Sequence, residues 1–230
     1  MTGNDRRAEQ QLAFDLPARA GLGRADFFAT PANAAALAAM DGWRDWPLGR
    51  MLLTGPAGAG KTHLARIWAA DTRAVVITAQ ALTQADVPGL AGSGAVVIED
   101  ADRLPPGAQT ALFHLHNMLQ GTGHLLITAA APPRDWPITL PDLASRMQAM
   151  PATRLEAPDD ALLTAVLVKL FADRQITVPA NLIGYLTLRM ERSLHAARLL
   201  VAALDARALA LGRPVTRALA AEILDTGPST

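Results

Sequence analysis

The sequence predicts an α/β protein, with a parallel sheet covered by helices and followed by a small all-α domain. Three observations lead there. Four short apolar runs alternate with helical patterns up to about residue 130, as buried parallel strands and their crossover helices do. From about Pro158 the strand signals stop and four helical patterns follow one another. Between the first run and the next helical pattern lies a glycine-rich turn with a lysine at its end.

Taken in order, residues 1–25 read as a polar tail and linker, 26–157 as the α/β core, and 158–230 as the helical domain. A first helix is expected over Ala32 to Met40, with Thr30 as its cap and Pro31 in its first turn. Trp43 to Pro47 breaks it. "RMLLTG" (Arg50 to Gly55) reads as a buried strand, and a helix should run from Gly60 to about Ala70. "AVVIT" (Ala74 to Thr78) reads as a second buried strand. "AVVIED" (Ala95 to Asp100) reads as a third, preceded by the turn-rich "GLAGSG". Gln109 to Gln120 is a helical pattern, and "HLLIT" (His124 to Thr128) a fourth strand. The later helices are "DDALLTAVLVKLFADR", "PANLIGYLTLRM", "SLHAARLLVAALDARALALG" and "TRALAAEIL", with "PDD" and "VP" as starts and Gly212-Arg213-Pro214 as a stop.

Composition narrows the class of function. The 230 residues are 50% hydrophobic, as a globular chain requires. Lys+Arg and Asp+Glu both number 21, so no broad basic field for a nucleic-acid backbone is expected. With no cysteine there is no disulfide framework and no thiolate zinc site, which fits a reducing compartment. The N-terminus lacks the apolar core of a secretory signal, and no apolar run reaches membrane-spanning length. The expectation is a cytoplasmic protein without a membrane partner.

"GPAGAGKT", Gly55 to Thr62, matches G-x-x-x-x-G-K-[ST] between a predicted strand and a predicted helix. Gly55, Gly58 and Gly60, with Pro56, Ala57 and Ala59 between them, let backbone N–H groups converge on phosphate oxygens. The following helix N-terminus adds partial positive charge. Lys61 is expected to reach the β- and γ-phosphates of ATP or ADP, and Thr62 to ligate Mg²⁺. The third strand ends in Glu99-Asp100, where a carboxylate for the metal and another for the attacking water are wanted. Glu99 is the expected metal ligand and Asp100 the base. This order inverts the usual Asp-then-Glu, so binding is expected to be secure and hydrolysis weak. The plainer reading of Asp100 and Asp102 is that they cap the helix after Leu104.

P-loop, acidic strand end and helical lid together resemble an AAA+ ATPase core. Finer features resemble the DnaA initiator branch and its Hda/HdaA regulators. "GPAGAGKTH" is similar to their P-loop, His63 included. "FFATPANAAAL" is similar to the segment beside the adenine pocket, and "LLITAAAPPRDW" to the fourth-strand segment. "LPDLASRM" (Leu140 to Met147) resembles a characteristic Hda stretch, and "MERSLHAARLLVAALDARAL" the sensor-2 helix. DnaA carries a helix-turn-helix domain after its lid. Here the sequence stops at Thr230, so a regulator is expected, without direct sequence-specific DNA binding.

The resemblance implies further roles and two departures. Arg146 in "ASRM" matches the family's arginine finger, which acts in trans on a neighbour's γ-phosphate; the plainer reading pairs it with Asp142. The sensor-1 position falls among Ala129 to Ala131, with Thr128 the nearest hydroxyl. The sensor-2 arginine falls on His195, with Arg198 one turn on as a substitute. Both departures weaken γ-phosphate sensing. "QLAFDL" resembles the sliding-clamp-binding hexapeptide Gln-Leu-x-Leu-x-Leu, with Gln11 for a polar notch and Leu12, Phe14 and Leu16 for an apolar groove.

The function implied is a clamp-docked regulator that makes DnaA hydrolyse its ATP. The alternatives are a self-assembling stand-alone ATPase or helicase loader, and a non-catalytic nucleotide-bound clamp adaptor. His114 and His116, two apart on one helix, face different directions and do not suggest a metal site. Trp43, Trp46, Trp68 and Trp136 read as packing residues. Leu162, Val166, Lys169-Leu170 and Ile176 read as packing within the helical domain, not as a cofactor pocket.

Overall fold

A computed structural model describes residues 27–226, so the clamp-like peptide at Gln11 to Leu16 lies outside the described residues. Five parallel strands form one sheet in the order β2-β3-β4-β1-β5: β1 (Arg50–Thr54), β2 (Val75–Thr78), β3 (Ala95–Glu99), β4 (His124–Ala129) and β5 (Ala152–Arg154). Register places Leu52 beside Ile127 and Ile98 beside Ile127, so the three central strands carry one continuous apolar layer. Side chains alternate across the sheet. Val96, Ile98, Leu125 and Ile127 pack on one face with α3 (Val87–Gly92), α4 (Gln109–Met118) and α5 (Pro141–Gln148). Ala95, Val97, Leu53 and Leu126 pack on the other with α1 (Ala34–Asp41) and α2 (Lys61–Thr72).

Four helices follow: α6 (Asp160–Asp173), α7 (Ala180–Arg189), α8 (Leu194–Leu211) and α9 (Arg217–Thr226). They enclose a separate apolar cluster around Leu163, Leu167, Phe171, Leu186, Val201 and Leu204. Their ends follow the sequence signals. Asp159 caps α6 by accepting from Leu162 N at 2.8 Å, Ser193 caps α8 by accepting from Ala196 N at 3.2 Å, and Gly212 ends α8 at φ 60°. Among the described residues no helix is long and apolar enough to cross a membrane.

Several elements differ from expectation. Thr30 does not cap α1 with its hydroxyl, which has no hydrogen-bond partner. Asn33 organises the turn instead: its Oδ1 accepts from Thr30 N and its Nδ2 donates to Phe28 O, and the helix begins at Ala34. The "VPGLAG" segment is helical despite its glycines, because Val87 and Leu90, one turn apart, both bury against the core. β2 is a strand but not a buried one. It lies at the sheet edge, and Val75 and Val76 remain 42% and 39% exposed. α5 and β5 were not anticipated as elements; β5 is only three residues long and carries no apolar run.

The tryptophans do pack. Trp46 stacks on Trp68 at 5.2 Å, and Trp43 meets Trp68 edge-on at 6.3 Å. His114 is exposed and His116 buried on α4, as their spacing requires. Burial, reinforced by the Arg50 guanidinium, pushes the His116 imidazole from 6.5 down to about 4. A histidine held neutral this way contributes stability that is complete above its unfolded pKa. As pH falls from 6.5 towards 4 the unfolded chain takes up the proton first, and the contribution is lost. Allowing for solvent screening, about 2 kcal/mol should disappear across that window. Denaturant unfolding of wild type and His116→Leu at pH 7.5 and 4 should show the variant losing less stability than wild type; equal losses would sink the assignment.

Candidate nucleotide-binding site

The loop from Gly55 to Gly60 leaves β1 at the C-terminal edge of the sheet and enters α2 directly. Gly58 and Gly60 take φ of 72° and 105°, a left-handed backbone that side chains disfavour. That backbone and the start of α2 turn N–H groups into the space above the strand ends. The space is a cleft of about 340 Å³ lined from three directions: by Ala57, Gly58, Gly60, Lys61, Thr62 and His63; by Asp100, Asp102, Arg103 and Ala130; and by Leu194, His195 and Arg198 of α8. Pro56 and Ala59 support the loop, Ala59 from within the core.

Lys61 is buried, and its Nζ donates to Gly55 O at 2.7 Å and Pro56 O at 2.9 Å. Desolvation lowers its pKa, while the negative charges of Asp100 and Asp102 oppose that effect. The lysine is thus curled over its own loop, within the field of two carboxylates. Thr62, the next residue, is exposed on the cleft wall.

The acidic pair separates sharply. Glu99 is the last residue of β3 and buried, and its Oε1 has no hydrogen-bond partner. Asp100 turns out of the strand at φ 56°, a conformation Asp tolerates better than most residues, and faces the cleft. Its N–H donates to Thr128 Oγ1 at 3.2 Å. Neither Asp100 nor Asp102 caps α4, whose N-terminus has no side-chain cap. Asp102 Oδ1 instead accepts from Ala130 N at 3.2 Å across the cleft floor, a role that its place in a charged turn did not signal.

Among the described residues no group of three histidines and carboxylates is placed to hold a metal alone. The set suits Mg²⁺ in a different way. Mg²⁺ favours one or two protein oxygens, with phosphate and water completing its shell. The threonine hydroxyl on the cleft wall matches that need, while Glu99, expected as its companion ligand, lies buried at the strand end behind the residues that line the cleft, with its Oε1 without a partner.

Thr128 is buried and its hydroxyl is engaged by Asp100 N, while Ala130 takes the cleft-facing place one step beyond the strand. No polar side chain projects from the end of β4 into the cleft. On α8 both His195 and Arg198 face it. Burial, with the nearby Arg66 charge, lowers the Arg198 pKa.

Beside the cleft a mainly apolar pocket is lined by Phe27, Phe28, His63, Leu162, Val166, Leu170 and Leu194, with the charged Lys169, Asp173 and Arg198 among them. Phe27 and His63 meet at 5.5 Å. This corrects the reading of the α6 stripe as packing alone. Val166 and Leu170, one turn apart, touch the helical cluster and also wall this pocket, because one helix presents adjacent faces to two neighbours. Such a wall suits a flat heteroaromatic base.

Loop, acidic strand end, five-stranded order and helical cover decide the architecture. The chain has the AAA+ P-loop NTPase fold. No family model matches it, but solved structures do. It resembles domain III of the Thermotoga maritima replication initiation protein DnaA, at TM-score 0.71 and 20% identity, over 89% of this chain and 95% of that one. It also resembles AMPPCP-bound DnaA from Aquifex aeolicus, at TM-score 0.66 and 15% identity, over 79% of this chain and 64% of that one. The Thermotoga maritima RuvB Holliday junction branch migration motor matches at TM-score 0.65 and 18% identity, over 85% of this chain and 66% of that one. At these identities the likeness is one of AAA+ fold.

Two contacts of this chain lay beyond sequence reasoning. The helical cover is fastened to the P-loop: Leu194 N donates to Gly58 O at 2.8 Å. Arg146 lies elsewhere. It sits on α5, half-buried, with its guanidinium carbon 5.0 Å from the Phe113 ring centroid on α4. Among the described residues it makes no ion pair with Asp142 that would match the plainer reading. Its charge is felt by Arg50 and His116. Arg50 opens β1 and the P-loop follows its other end. At ~3.3 Å per residue, those ends lie about 15 Å apart.

Proposed function

We propose that this chain is a nucleotide-holding AAA+ regulator that presents Arg146 to the ATP site of a DnaA AAA+ domain and accelerates hydrolysis there. The position of Arg146 carries the reading. It stands by the opposite end of β1 from its own P-loop, stacked on Phe113 and unpaired with Asp142, so it suits a phosphate held by another molecule better than its own. The protein's own cleft supports a holding role. Gly55 to Gly60 and Lys61 would grip the phosphates, Thr62 and Glu99 would hold Mg²⁺, and Phe27, Phe28 and His63 would flank the base. Mg²⁺ there would supply charge neutralisation between phosphate oxygens. Asp100 is placed to orient a water. With alanine where a polar sensor is expected and His195 in place of an arginine, turnover at this cleft is weak, and ADP is the expected resident.

The tail supplies the place of action. Gln11, Leu12, Phe14 and Leu16 would dock on the DNA sliding clamp, raising the local concentration for a weaker contact with DnaA. A Gln11→Ala, Leu12→Ala double variant should then lose clamp binding in a surface-capture assay while retaining wild-type nucleotide affinity. Retained clamp binding would remove the tail from the account.

The test of the whole reading mixes protein, nucleotide, DNA-loaded clamp and ATP-bound DnaA, and follows phosphate release. Stimulation that depends on Arg146 supports it. Robust turnover by this protein alone, with ATP-dependent self-assembly, would point instead to a motor or loader. Clamp binding with no change in DnaA hydrolysis would point to an adaptor.

A further inference from the structure

The surroundings of Arg146 carry a consequence for how its charge is delivered. An exposed arginine normally samples many rotamers or finds a nearby carboxylate, and each costs something when it must meet an anion. Here the guanidinium is supported on one side by the Phe113 ring at 5.0 Å. Phe113 is held in turn by the apolar layer beneath α4. Arg50 stands nearby and is only 5% exposed. Its Nη2 donates to His116 O at 2.6 Å, and its Nε has no partner. Arg50 is fixed by burial and brings a second positive charge, so it repels Arg146 instead of recruiting it. His116, buried beneath them, is held neutral and draws Arg146 nowhere, and His114 meets the Phe113 ring edge-on at 5.7 Å.

We propose that Phe113 is the positioning residue for Arg146: its ring face holds the guanidinium outward and unpaired, ready for an anion on a partner. This rests on the trans role given to Arg146 above. A charge fixed before the encounter avoids the ordering cost at the moment of reaction, and misplacement of a reacting group by about 1 Å can cost about 100-fold. The ring contributes through its π face, so any aromatic residue of similar shape should serve and an aliphatic one should not.

The experiment uses the full chain with DNA-loaded clamp and ATP-bound DnaA. Phe113→Ala should lower the saturating rate of DnaA hydrolysis about tenfold. The concentration giving half-maximal stimulation should stay unchanged, because docking surfaces are intact. Phe113→Tyr should restore the rate, and Phe113→Leu, which fills the space without a π face, should not. A wild-type rate in Phe113→Ala, or equal rescue by Leu and Tyr, overturns the proposal.

Arg146→Ala run in parallel separates the two ideas. If it stimulates like wild type, the trans reading itself fails. If it is dead while Phe113→Ala is normal, only the role of Phe113 fails. A second measurement needs no partner. In the free protein the Arg146 side-chain proton signals should be displaced by the aromatic ring current, and Phe113→Ala should return them to ordinary arginine values. Ordinary values in the wild type would show that the stack is absent and overturn the proposal.

Discussion

Arg146→Ala is expected to reduce stimulated hydrolysis by DnaA about 10³- to 10⁵-fold, close to the rate of DnaA alone, which is the range an arginine supplied in trans accounts for elsewhere. The large figure follows from where such a charge acts. A guanidinium meeting an anion in a closed, dry interface stabilises charge that develops only in the transition state. The same substitution should leave the protein otherwise intact. Arg146 is half-buried on α5, touches the cleft with none of its atoms, and lies by the far end of β1 from the P-loop. Nucleotide affinity, clamp binding and melting temperature should therefore match wild type. Arg146→Lys should recover little, since an ammonium has neither the planar face that stacks on Phe113 nor the fork that clamps a phosphate. Phosphate release under saturating protein is the measurement, and undiminished release by the alanine variant would end the proposed mechanism.

Gly58→Ala is expected to lower nucleotide affinity by more than tenfold and to loosen the helical cover. Two effects combine. The backbone sits at φ 72°, where a Cβ costs about 1 kcal/mol or more. The added Cβ would also lie 1.9 Å from Ser193 Oγ and 2.7 Å from Ser193 Cβ, too close for any side chain to accept. Ser193 is the buried cap of α8 and cannot move alone, so the N-terminus of α8 must back away. The 2.8 Å bond from Leu194 N to Gly58 O would go with it, and that loss adds about 1 kcal/mol. His195 and Arg198, which reach the cleft from that same helix, would be displaced together. Titration calorimetry or a fluorescent nucleotide would measure the loss.

A second substitution sharpens this expectation. Ser193→Gly in the Gly58→Ala background removes both of the closest contacts and should restore part of the affinity, although it also forfeits the α8 cap. Gly89→Ala, where an added Cβ meets nothing within 4 Å, should bind nucleotide like wild type. Normal binding by Gly58→Ala would mean that the P-loop and α8 are not fastened as described.

Much of this molecule is written locally. The G-x-x-x-x-G-K-[ST] spacing places backbone donors, lysine and threonine on one turn, because the short loop from Gly55 to Gly60 between a strand and a helix has few other paths. The caps at Asp159 and Ser193 and the stop at Gly212 act within one helical turn, so they too are legible residue by residue. The short apolar runs declare strands because only a covered sheet can absorb them.

Other features belong to no local stretch. "AVVIT" and "AVVIED" look alike, yet one became an exposed edge and the other a buried centre, since edge and centre are decided by which neighbours arrive. Val166 and Leu170 are apolar on any reading, but only the approach of Phe27, Phe28 and His63 made them the wall of a pocket. Asp102 was a charge in a turn until Ala130 N, one step past β4 and 28 residues on, came within 3.2 Å of it. Arg146 had two partners available in the sequence, a carboxylate one turn away and an aromatic ring 33 positions earlier, and the packing of α4 on α5 chose the ring. The sequence by itself determined the chemistry of the phosphate loop and the division into sheet and helical cover, because short-range sterics and hydrogen bonds set both. Only the tertiary structure decided which charges meet and which stay unpaired, because those energies depend on burial and distance between segments far apart in the chain.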